Sequence, residues 1–125
     1  MTALEDAVAH LAKAREFLEA AELTRDLELY NAATSNAVTS GINSKDAICL
    51  SLTGRTTKAD IHAEAVAELK SAGGAGRELA PTFSRLLRLK PKSQYQAASI
   101  SASDAVKSVD WATRMLDVAK TLVRT

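Results

Sequence analysis

The segment RLKPKSQY, residues 88–95, sets an arginine, two lysines, a serine and a tyrosine between two stretches of helical periodicity. Guanidinium and ammonium groups clustered this way can hold a phosphate or an acidic partner. Arg85 belongs to the same cluster: residues 79–103 carry Arg85, Arg88, Lys90 and Lys92 and no acid. Residues 1–30 have the opposite balance, seven acids against three bases. With a formal net charge of +1, the positive field is local, and it is small for a groove that tracks a nucleic-acid strand. Ser93 and Tyr95 add two hydroxyls to this candidate anion-, nucleotide- or partner-binding edge.

Other chemically able residues lie apart from it. Asp46, in KDAICL, stands among apolar neighbours and is expected to be half-buried, with Lys45, Arg55 or a residue of another helix as its partner. His62 opens a helical stretch and is read as a capping or charged structural residue. His10 is read as solvated on the polar face of the first helix. The single cysteine, Cys49, has no internal disulfide partner and is expected to be a buried, inert thiol. GGAG at 73–76 lacks the preceding strand and the following Lys-Ser/Thr of a phosphate loop, so it is read as a connector.

The elements that must position these residues are helices. A chain of 125 residues with 46% hydrophobic and 25% charged residues makes one ordinary globular domain, 1–125, that needs no metal or disulfide. Five aromatics and abundant alanine favour packed helices over a β-sandwich. Leu4, Ala7, Val8, Leu11, Ala14, Phe17, Leu18 and Ala21 recur at helical spacing and predict a helix over about 3–23. A second runs over about 26–52, with one stripe through Leu27, Thr34, Val38, Ile42, Cys49 and Leu52. Beside it lies a stripe of small residues, Ala33, Ala37, Gly41, Ser44, Ala47 and Ser51, which predicts a central helix that others approach closely. Gly54 is the expected C-terminal cap, and Thr57 with Asp60 has the spacing of a capping pair for a third helix over about 58–71. A fourth is expected over about 77–89, with Pro81 in its first turn and Pro91 closing it. Ser101 and Asp104 cap a last helix that runs to about 122. The fold class is all-α, an antiparallel up-and-down four-helix bundle with an additional short helix.

The order of SGINSKDAICLSLTGR (40–55), His62, RLLRLKPKSQY (85–95) and SISASDAVKSVDWATRMLDVA (99–119) resembles the HEPN superfamily of small helical bundles. The resemblance covers residues 3–123. It implies an up-and-down bundle, a homodimer, and membership of toxin–antitoxin or phage-defence systems, with a nucleotidyltransferase as a protein partner. Many members are metal-independent RNases whose motif is an arginine, four to six residues, a histidine, and in some a tyrosine two positions on. There the arginine meets the charge developing on phosphate and the histidine is general acid or base in 2′-hydroxyl attack. Arg88, Ser93 and Tyr95 keep that spacing, but serine has no ionisation near neutral pH and cannot move the proton. Arg55 and His62 also fit it, at the junction of the second and third helices.

The reading is therefore a HEPN-like module that binds nucleotide, RNA or a protein partner through Arg85, Arg88, Lys90, Lys92, Ser93 and Tyr95, without catalysis. The alternatives are a diverged RNase using Arg55 and His62, alone or with Arg88 of a second subunit, and a structural helical adaptor. No cofactor and no metal site is expected. The N-terminal stretch is too charged for a signal peptide or a membrane span, so a cytoplasmic protein without membrane contact is expected.

Overall fold

A computed structural model describes residues 2–58 and 61–124 of the chain. The elements are α1 (Ala3–Asp26), α2 (Tyr30–Thr53), α3 (His62–Ser71), α4 (Gly74–Arg88), α5 (Lys90–Gln94) and α6 (Ala102–Leu122). The described residues contain no strand. The fold is an all-α bundle, as composition and periodicity require.

Directions follow from contacts between helices. Ser40 donates to the Ala14 carbonyl at 2.8 Å and Asn43 meets His10 at 2.8 Å, so α1 and α2 are antiparallel. Thr34 bonds Ser108 at 3.1 Å and Gly41 lies against Met115, the same offset in number, so α2 and α6 run the same way. α2 touches every other helix. That central position explains its stripe of small residues. Ala33, Ala37, Gly41, Ser44 and Ala47 are buried, as are Thr34, Val38 and Cys49 of the neighbouring stripe, with Ile42 half-buried. At the two ends the stripes fail, since Leu27, Ser51 and Leu52 are exposed. Burial pushes the Cys49 thiol up to about 11, so it stays protonated and unreactive, as expected.

Caps match the sequence at several ends. Thr2 and Ser101 each accept from the backbone N–H three residues on, at 3.1 Å, and Gly54 closes α2 in the left-handed region. The differences fall in the middle of the chain. GGAG is not a loose connector: Gly74 and Gly76 lie in the first turn of α4. A side chain at Gly76 would run into the Leu69 carbonyl oxygen, so glycine is what lets α3 and α4 close as a tight hairpin. Because α4 starts earlier than expected, Pro81 lies in its interior. Arg77, whose carbonyl Pro81 cannot serve, is exposed, as is Pro81, so water can satisfy that group. Pro91 does not close a helix but sits in the first turn of α5, where a missing N–H costs nothing. α3 begins at His62, not near Thr57. The Thr57 N–H is spent on Glu68 instead, and Asp60 lies outside the described residues.

Gly76→Ala should lower stability by about 1–3 kcal/mol, because backbone must move and the overpacking exceeds the gain in helix propensity. Gly41→Ala should cost less, since the atom it meets is the end of the Leu86 side chain, which can turn away. Urea midpoints of the two variants against the parent chain check the order.

Candidate functional site

Lys45 and Asp46 sit side by side on α2 and are 2% and 3% exposed. Two charges can stay there only if their hydrogen bonds are met. The segment after α2 meets them by turning back over the helix. Thr56 donates to Asp46 Oδ1 at 2.6 Å, and Lys58 donates to Oδ2 at 3.2 Å. Lys45 Nζ donates to Asp46 Oδ1 (3.3 Å), to Thr56 Oγ1 (3.0 Å) and to the Thr57 carbonyl (3.2 Å), and it pairs with Glu68 of α3. Glu68 also accepts from the Thr57 N–H at 3.0 and 3.1 Å. Burial by itself would raise the Glu68 pKa; the bonds from Lys45 and Thr57 outweigh it and hold the carboxyl below its usual range.

His10 joins the same network. The Asn43 amide nitrogen donates to the Thr39 carbonyl at 2.9 Å, so its oxygen faces the ring and Nδ1 must be the donor there. Nε2 then accepts from Lys58 at 2.7 Å. The ring is the neutral Nδ1–H tautomer, and Nδ1 lies 3.8 Å from Asp46 Oδ2. The expectation of a solvated His10 without a partner is thus corrected: antiparallel packing lays α1 over Asn43 and brings the ring under Lys58. Of the partners expected for Asp46, Lys45 is found. Arg55 is not one: it is exposed, and its guanidinium makes no ion pair among the described residues.

Beside the network is a cavity of about 230 Å³. Its inner wall includes buried Phe83 and Leu87 with Lys45 and Asp46, while Lys58, half-buried His62 and half-buried Lys90 line it further out. An adjoining groove shares His62 and Leu87 and has Arg88 and Ser84 on its other side. His62 and Arg88, which the sequence reading brought together only across two subunits, face one groove within a single chain, with no hydrogen bond between them among the described contacts. Arg85 is exposed one turn before Arg88 on the same face of α4.

The remaining candidates do not converge. Lys92 and Ser93 are half-buried on α5 and line neither cavity, and Ser93 Oγ donates to the Lys90 carbonyl at 2.9 Å. Tyr95 is 73% exposed. Gln94 ties α5 to α2 through Ser35 at 2.9 Å. Among the described residues, no group of three His, Cys, Asp or Glu side chains is placed to hold a metal. The described helices include none long and apolar enough to cross a membrane. No protein-family model matches the chain, and no curated protein matches it.

The lowered Glu68 pKa sets a sign for acid sensitivity. Its contribution is complete above the ordinary glutamate value and is lost as pH falls through the lower, folded value. Glu68→Gln should cost about 1–3 kcal/mol at neutral pH. It should also flatten the loss of stability as pH falls below the ordinary glutamate range. Thermal unfolding of parent and variant across that range is the check.

Proposed function

We propose that this chain is a HEPN-like helical module that binds RNA or nucleotide, without cleaving it, at the cationic end formed by α3, α4, α5 and the segment after α2. The observation that carries the reading is the meeting of Lys58, His62, Lys90 and Arg88 around two adjoining cavities. These four come from four parts of the chain, and exposed Arg85 lies one turn before Arg88 on α4. Two lysines, an arginine and an imidazole converging on concave surface, with no acid in residues 79–103, favour a phosphate-bearing ligand. The family likeness extends the proposal to a homodimer with a nucleotidyltransferase as protein partner, in a toxin–antitoxin or phage-defence setting.

The test is RNA binding followed by fluorescence anisotropy across a salt series. Arg85→Ala combined with Arg88→Ala should weaken binding and lower the slope of log affinity against log salt by about 2. Affinity and slope equal to the parent's would remove the arginine rim from the reading.

A second reading is favoured by one observation, the groove shared by His62 and Arg88. A neutral imidazole there could take the 2′-hydroxyl proton while the guanidinium meets the charge on the phosphate. Arg55, the partner expected for His62 from spacing, lines neither cavity. Short RNAs incubated with the purified chain should remain intact. Cleavage that disappears in His62→Ala would replace the binding module with a nuclease.

A further inference from the structure

We propose that the cavity between α2, α3, α4 and α5 takes a terminal phosphate, a phosphomonoester at the end of a strand or on a free mononucleotide, rather than an internal phosphodiester. This rests on the phosphate-binding reading above and specifies which phosphate the site accepts.

Shape is the first argument. The cavity holds about 230 Å³ and its inner wall includes Phe83, Leu87, Lys45 and Asp46, all buried. It is smaller than the roughly 300–1,000 Å³ of pockets that enclose a whole drug-sized ligand. An internal phosphodiester carries a nucleoside on each side and must lie along a surface; a cavity closed at its inner end admits a chain end. The adjoining groove with Arg88, and Arg85 one turn before it, offer the open surface that suits a continuing strand.

Charge is the second. Lys45 is matched by Glu68, and Lys58 is matched by Asp46. Lys90 also lines the cavity, and it makes no ion pair among the described residues. Three ammonium groups against two carboxylates leave a positive charge there. A phosphomonoester carries close to two negative charges near neutral pH and three acceptor oxygens, against one charge and two free oxygens on a diester. Lys58, His62 and Lys90, from three different elements, can each serve one oxygen of a terminal phosphate.

Lys58 can make that contact by giving up its bonds to His10 Nε2 (2.7 Å) and Asp46 Oδ2 (3.2 Å). Its side chain is 64% exposed, whereas Asp46 is buried. If Lys58 swings to the ligand, Asp46 keeps the Thr56 hydroxyl at 2.6 Å and the Lys45 ammonium at 3.3 Å, so no buried carboxylate is stranded. The network beneath the cavity is thus a rigid floor with one detachable cation.

The experiment compares 12-nucleotide RNAs of one sequence with a phosphate at the 5′ end, at the 3′ end or at neither, binding to the full chain. Adenosine 5′-monophosphate and adenosine serve as competitors. At least one phosphorylated strand should bind ten times tighter than the strand with hydroxyls at both ends. Lys90→Ala should abolish that ratio, and Lys58→Ala should reduce it, with circular dichroism showing both variants folded. Arg85→Ala with Arg88→Ala should weaken all strands by one common factor and leave the ratio intact. Competition by the monophosphate and not by adenosine upholds the site with a free mononucleotide as a source; preference for a phosphorylated strand without such competition upholds it with the strand end as the source. Monophosphate binding that depends on Lys90, with no RNA bound, also upholds it while removing RNA from the function. Equal binding of all strands, or a ratio that survives Lys90→Ala, overturns the inference and leaves the functional reading standing. No binding of any probe overturns both.

Discussion

A lysine and an aspartate buried side by side on the central helix are the constraint that shapes this molecule. Isolated, either would be intolerable inside a bundle, and together they still have more hydrogen-bonding capacity than each other to satisfy. The chain resolves this by folding the segment after α2 back over them. Two threonines, a second lysine, a glutamate from α3 and a histidine from α1 are all drawn to one spot. The position of α3, and with it the cavity between α3, α4 and α5, follows from where those groups must be. Packing of alanines and glycines sets how close the helices come; the buried charges set which way the irregular segment runs.

The two halves of the structure divide the labour accordingly. α1, α2 and α6 form the closely packed part, with small residues on α2 letting α6 and α4 approach. The α3–α4 hairpin stands on the floor provided by Lys45 and Asp46, and α5 is tied to α2 by Gln94 and Ser35. The candidate site residues therefore sit on α3, α4, α5 and a turn at the edge of a firm base, where side chains can change without disturbing the core.

Helices were legible in the sequence wherever periodicity was long and caps were plain, as in α6, at the start of α1 and at the end of α2. The junction between α1 and α2 was not, since α1 runs on to Asp26 and α2 starts at Tyr30 without a side-chain cap. The middle of the chain was less so, because glycine and proline have two opposite uses. Pro91 can end one helix or begin the next, and GGAG can be a hinge or a close-packed first turn; only the backbone that comes against them decides. In the site, the KD pair flagged itself as charge inside an apolar run, and Lys45 was among the partners considered for Asp46. Lys58 gave no signal, since a lysine in a polar turn is ordinary. His10 was misread, although it lies three residues after Ala7 and four before Ala14, both buried, a placement at the margin of the packed face. Its partners stand on another helix and a turn, which no local pattern reports. The same holds for His62 and Arg88, joined only because Gly76 lets α3 and α4 close.

The tautomer of His10 has an outcome of its own. A ring nitrogen that accepts from an ammonium has its only lone pair engaged, so this tie between the first helix and the turn exists only while the imidazole carries a single hydrogen. A seam between distant parts of the chain is thereby fastened by the vacancy on one nitrogen atom.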